Sequence, residues 1–171
     1  MRTTRITLAA AAVALVAGCG SSGGPAAVAP GAEPARVDRV VDGDTLIAVV
    51  DGARERVRLL GVDAPESVTP DRPVECGGPA AAAAARRLMP EGAAIALATD
   101  PTQGRDDQYG RRLAEVTVAG AATTVNEQLV EEGAAEVFRG DGRARLLPAL
   151  RAAERRAREA RRGLWGSCRR R

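Results

Sequence analysis

Arg56-Val57-Arg58-Leu59-Leu60-Gly61-Val62-Asp63-Ala64-Pro65-Glu66 decides how the rest of the chain is read. Residues 54–60 alternate polar and apolar before turning wholly apolar, the pattern of a strand running into a core. Val57 and Leu59 are then the inward positions, and Arg58 points the other way. Asp63 follows the strand end, and Pro65 stiffens the approach to Glu66. Upstream, Asp51-Gly52 is a hairpin signal joining this strand to Leu46–Val50. Asp42-Gly43-Asp44-Thr45 is a turn joining that strand to Val37–Asp42. The three form a meander.

Downstream, residues 63–74 form a proline-interrupted loop. The Ala-rich run from Ala80 to Leu88 is helical and is stopped by Pro90. Ala93 to Thr99 reads as a fourth strand, Asp100 to Gly110 as a polar loop and Arg112 to Val118 as a fifth strand. Thr124 with Glu127 forms a capping box for a second helix, which Gly133 ends. Pro148 sits in the first turn of a third, reaching about Arg162 before Gly163. Five short strands and three helices predict an α+β, mainly β fold: a small five-stranded barrel with helices packed outside.

The 171 residues suit one domain with extensions. The aromatic residues are Tyr109, Phe138 and Trp165, so the core is built from aliphatic side chains. Lysine is absent, and the Arg- and Ala-rich usage reads as GC-rich coding. Histidine is absent too. That excludes a His base, a His nucleophile and a His-ligated zinc, and leaves metal chemistry to oxygen ligands on a hard cation such as Ca²⁺ or Mg²⁺. Net charge is +3, yet residues 143–171 carry eleven arginines against Glu154 and Glu159. A polyanionic partner would suit that end, but on charge alone a solvated Arg-rich helix face explains it better.

Arg2 and Arg5, the short apolar run Ile6–Val16 and then Ala17-Gly18-Cys19 read as an export signal ending in a lipoprotein box. Residues 1–18 are expected to be removed and Cys19 to carry the lipid. Residues 19–35 form a Gly/Ser/Ala/Pro tether, 36–168 the folded domain and 169–171 a basic tail. The protein is expected to be exported and anchored to the outer face of the cell membrane, or secreted if Cys19 is not lipidated.

The chemistry-bearing residues gather around the opening stretch. Asp44 and Asp63 stand at strand ends where two carboxylates can share one cation. Glu66 lies three residues beyond Asp63, where it can act on a water. Arg58 and Arg111 are two guanidiniums suited to clamp a phosphodiester. Together these are what a phosphodiesterase without histidine needs.

Asp42-Gly43-Asp44-Thr45, Arg58 through Glu66, Asp107-Gln108-Tyr109-Gly110-Arg111 and Val125 through Gly133, in this order, resemble the staphylococcal nuclease family over about Arg36 to Trp165. The resemblance implies an OB-type barrel and a Ca²⁺-dependent endonuclease on DNA and RNA, single-stranded or denatured by preference. Water would attack phosphorus and the 5′-oxygen would leave, giving 3′-phosphate products. It implies that Asp44, Asp63 and the Ala64 carbonyl hold one Ca²⁺, that Arg58 binds the phosphate and that Arg111 lies near the leaving oxygen. Glu66 either takes the proton or orients the water, and Tyr109 contacts substrate. Family members often have Thr where Ala64 stands, a change a carbonyl ligand survives. Two tyrosines expected after the second helix are replaced by a segment in which Phe138 can stack and Arg139 can substitute as a guanidinium.

Cys76 and Cys168, an even pair in an exported chain, are expected to form a disulfide tying the last helix to the loop beside the site. Trp165 is expected to pack that helix end. A monomer is expected. Two other readings use the same barrel: a non-catalytic nucleic-acid-binding or interaction module, and a structural surface lipoprotein.

Overall fold

The computed structural model describes residues 31–67, 73–140 and 142–168. The export signal, Cys19, most of the tether and the basic tail lie outside them. Strands β1 (Glu33–Asp42), β2 (Thr45–Val50), β3 (Ala53–Leu59), β5 (Ala94–Ala98) and β6 (Arg112–Val118) close into a barrel in the order β1-β2-β3-β6-β5. Helices α1 (Gly78–Leu88), α2 (Val125–Glu131) and α3 (Leu147–Glu159) pack outside. The α+β class and the five-stranded barrel are those read from the sequence.

The meander forms as its turn residues dictate. Asp51 (φ 47°) and Gly52 (φ 83°) both take left-handed backbone, which matches the twist of the flanking strands. Inward positions are aliphatic and closed to solvent: Leu46, Ala48, Val57, Leu59, Leu97, Ala114 and Val116 fill the barrel. Ala81, Ala82 and Ala85 bury the small-residue face of α1, while Val125, Leu129 and Val130 of α2 and Leu150 and Ala153 of α3 complete the core.

The domain starts earlier than expected. Glu33, Pro34 and Ala35, read as tether, belong to β1 and pair with Leu97, Ala96 and Ile95. Without them β5 would present an open edge. One strand serves both neighbours because β1 is irregular between Val37 and Arg39 and again between Val40 and Asp42, bending from β5 toward β2. Three further elements are too short to show a periodic signal in the sequence. Strands β4 (Val62–Asp63) and β7 (Glu136–Val137) form a separate two-stranded sheet, and Leu164–Ser167 makes a short helix, α4.

The barrel's parallel seam is short: Val57, Arg58 and Leu59 of β3 face Arg112, Leu113 and Ala114 of β6. Asn126, fully buried at the start of α2, fastens it. Its Nδ2 donates to the carbonyls of Leu60 (2.9 Å) and Ala114 (3.2 Å), and its Oδ1 accepts from the N–H of Val116 (2.9 Å). Thr124 caps α2 by accepting from the Glu127 N–H at 3.1 Å. Below the seam, buried Arg112 reaches Glu33 at 2.8 Å and Glu55 at 3.4 Å, joining β6 to β1 and β3.

Cys76 and Cys168 are bonded, with Cα atoms 5.9 Å apart. The expected disulfide is present and spans 92 residues of sequence. Trp165 lies under the Arg158 guanidinium, 4.2 Å from the ring centroid, in keeping with a packing role.

Replacing Asn126 with Ala should cost about 2 kcal/mol or more, because the Val116 N–H and the Leu60 carbonyl lose their side-chain partner while the Ala114 carbonyl keeps the Leu60 N–H; urea unfolding followed by circular dichroism reads this as a lowered midpoint. Cys76→Ser/Cys168→Ser should cost about 4–5 kcal/mol by the entropy of the released loop. The same unfolding curves, with the wild type under reducing conditions as a second arm, check it.

Candidate active site

The site is assembled where the β1–β2 turn, the end of β3 and the loop before β6 meet. Asp44 sits in the turn with its carboxylate buried. Its oxygens accept from the Thr45 hydroxyl (2.9 Å) and from the N–H of Ala64 (2.9 Å), and it pairs with the Arg58 guanidinium. This locks the turn to the loop after β4. Gly43 makes the close approach possible: a Cβ there would stand 2.6 Å from the Ala64 Cβ and 2.9 Å from the Ala81 Cβ. Asp42 secures the far end of the same loop, accepting from the Ser67 hydroxyl at 2.5 Å and the Gly43 N–H at 2.8 Å.

Arg58 is the hub. Besides Asp44, its guanidinium reaches Asp63 at 3.1 Å and the Val62 carbonyl at 3.0 Å. Burial opposes its charge, but the Asp44 and Asp63 carboxylates outweigh that and hold its pKa above the ordinary value. Asp44 and Asp63 therefore converge on one group. Asp63 is the more open of the two and Ala64 is half-buried beside it.

Arg111 has its own partner. Its Nε and a terminal nitrogen both lie 2.6 Å from an Asp107 oxygen, and its guanidinium stands 5.4 Å from the centroid of Tyr109. Asp107 also accepts from the N–H groups of Tyr109 and Arg111, each at 2.9 Å. Burial works to raise the Asp107 carboxyl; the hydrogen bonds from Arg111 and Tyr109 and the Arg111 charge overcome it and lower the pKa.

Arg58, Tyr109, Arg111 and Phe138 line one cleft of about 420 Å³, with Leu59, Val62 and Leu113 among its apolar residues. Tyr109 and Phe138 are both exposed. Arg139 is exposed beyond Phe138 and does not line the cleft. Glu66 is also exposed and outside the lining. Its loop is tied to Glu75, which accepts from the Glu66 N–H at 3.1 Å and donates its own N–H to the Glu66 carbonyl at 3.0 Å. The disulfide lies nearby: Asp63, Ala64, Pro65, Glu75, Cys76 and Cys168 border a second hollow.

The donor chemistry fits a hard cation. Two carboxylates gathered by one guanidinium offer oxygen ligands only, and the cysteines at the neighbouring hollow are consumed in the disulfide. No group of three His, Cys, Asp or Glu side chains forms a metal cluster among the described residues. A cation held by Asp44 and Asp63 would complete its shell from a carbonyl and water.

Several contributors were not singled out from the sequence. Asp107 orients Arg111, and its bond to the N–H two residues on is an Asx-turn signal the sequence does carry. Asp42, Glu75 and Asn126 act through contacts distant in the chain and leave no such local sign.

The family model for "Staphylococcal nuclease homologue" matches residues 56–167. The thermonuclease of Staphylococcus hyicus is 31% identical over 132 residues, covering 77% of this chain and 75% of that protein. The thermonuclease of Staphylococcus intermedius is 41% identical over 100 residues, covering 58% and 56%. Endonuclease YncB of Bacillus subtilis (strain 168) is 39% identical over 101 residues, covering 59% and 46%. Matched over most of its folded part by the family model, and over three quarters of one relative's length, the chain belongs to the staphylococcal nuclease family.

Proposed function

We propose that this protein is a nuclease, and specifically a Ca²⁺-dependent endonuclease that hydrolyses the phosphodiester bonds of single-stranded or denatured DNA and RNA. One observation carries the reading: Arg58 touches both Asp44 and Asp63 while lining a cleft shared with Arg111 and Tyr109. Cation-binding oxygens and phosphate-binding guanidiniums thus adjoin. Asp44 and Asp63, with the Ala64 carbonyl, are the residues that would hold the ion, which when bound supplies positive charge to the scissile phosphate and to water. Arg58 and Arg111 bind the phosphate oxygens and stabilise the charge that builds as water adds to phosphorus. Glu66, on its exposed loop, accepts the water's proton or orients the water. The new P–O bond forms as the bond to the 5′-oxygen breaks, leaving a 3′-phosphate and a free 5′-hydroxyl. Tyr109 and Phe138 present rings to the bases.

We further propose that the protein is exported and anchored through a lipid on Cys19, acting as a monomer at the outer face of the cell membrane. The lipoprotein box supports this, as does the Cys76–Cys168 disulfide, a bond suited to an oxidising compartment.

Purified protein with millimolar Ca²⁺ should cut denatured DNA and RNA to 3′-phosphate ends, and chelation should stop it. Arg58→Ala should lower the rate about 100- to 1,000-fold and Glu66→Ala about 100-fold or more, with folding checked by circular dichroism. End analysis of a labelled oligonucleotide decides; 5′-phosphate ends or metal-independent cutting would overturn the mechanism. For the anchor, detergent phase separation should place the wild type with membranes and Cys19→Ser in the aqueous phase, and equal partitioning would refute it.

A further inference from the structure

The arginines of α3 meet different partners. Arg156 faces α2, where it pairs with Glu131 at 2.5 Å and approaches Glu127 at 3.8 Å. Arg162, just past the helix, also pairs with Glu131. These charges are spent on helix–helix packing. Arg151 and Arg155 are different. Both are exposed, and neither makes a hydrogen bond or ion pair with any described residue. At i and i+4 they share one flank of the helix.

α3 packs against β7, and Glu154 makes the contact. Glu154 is three residues from Arg151 and adjacent to Arg155, and its Oε1 accepts the Val137 N–H at 3.1 Å. Its charge is met by Arg158 at 2.8 Å, so it does not cancel the two arginines. Glu159, the remaining acid on α3, is exposed one turn beyond Arg155 on the same flank and makes no ion pair with it. The next residues after Val137 are Phe138, on the rim of the cleft, and Arg139, exposed beyond it. β7 thus links the cleft-lining Phe138 and the exposed Arg139 to α3, the helix that carries the two unspent guanidiniums.

We propose that this flank of α3, carrying Arg151 and Arg155, is a secondary binding track for the backbone of a single-stranded polynucleotide whose scissile phosphate occupies the cleft. The proposal rests on the nuclease reading and extends it from one phosphate to a chain. Guanidiniums on a helix bind successive phosphates without reading bases. Continuity with the cleft through β7 favours a nucleic acid over an anionic lipid surface. The track compensates for the thin base-stacking surface of Tyr109 and Phe138 by making affinity depend on charge and on substrate length.

The test uses the full chain in EDTA, with oligonucleotide integrity verified on gels. Fluorescence anisotropy measures binding of a 20-nucleotide and a 4-nucleotide single-stranded DNA to the wild type, to Arg151→Gln/Arg155→Gln and to Arg86→Gln. Arg86 is an exposed arginine on α1. The double variant should bind the 20-mer about 3- to 10-fold more weakly and the 4-mer unchanged. Its plot of log affinity against log salt should flatten by about 0.7 per arginine removed. Arg86→Gln should change neither. The track is overturned if the double variant binds both lengths as the wild type does, if both affinities fall together, or if Arg86→Gln has the same effect. It is also overturned if binding to phosphatidylglycerol vesicles, and not to the 20-mer, is what the double variant loses. Length-dependent binding without cleavage in Ca²⁺ would sink the nuclease reading and keep the track. Cleavage with no effect of the double variant would do the reverse.

Discussion

The parallel seam between β3 and β6 is the constraint on which the rest depends. Parallel neighbours cannot be joined by a tight turn, so two strands far apart in sequence meet over three paired positions. So short a ladder leaves backbone groups at its end in need of partners, and Asn126 supplies them from α2. The bonds set more than stability. Arg58 lies in the seam opposite Leu113, two residues after Arg111. Closing the barrel therefore brings the two guanidiniums to one cleft.

Charge is managed by pairing each site arginine with a carboxylate that also organises backbone. Asp44 holds Arg58 and the Ala64 N–H; Asp107 holds Arg111 and two N–H groups of its own loop. Each pair sets its guanidinium in place before any ligand arrives, the kind of preorganisation that electrostatic stabilisation requires. The loop carrying Glu66 is held differently, by Asp42 at Ser67 and by Glu75 at its backbone, with the disulfide next to Glu75.

Most of the fold was legible because its signals are local. Alternation along residues 54–60, the Asp51-Gly52 turn, the Ala-rich α1 and the Thr124 cap each report on neighbours a few residues away. The irregularities of β1 and the pairing of Glu33 to Ala35 with β5 were not legible. A Pro- and Ala-containing segment becomes a strand there only because an open edge is waiting for it. The β4–β7 sheet was missed for a like reason: two-residue strands carry no periodicity.

By itself the sequence determined which residues can do chemistry. With no histidine or lysine and few aromatics, the charged chemistry fell to Asp, Glu and Arg, and their order in the chain matched one family. Tertiary structure alone decided which of them meet. It placed Arg58, Tyr109, Arg111 and Phe138 in one cleft and turned Asp44 and Asp63 onto Arg58. It left Glu66 on an exposed loop and Arg139 outside. It also paired Arg156 with α2 and Arg158 with Glu154 of its own helix, and left Arg151 and Arg155 to solvent. The physical reason is the same in each case. An ion pair or hydrogen bond needs its partner within about 3 Å, and for residues tens of positions apart that distance is set by how the barrel closes.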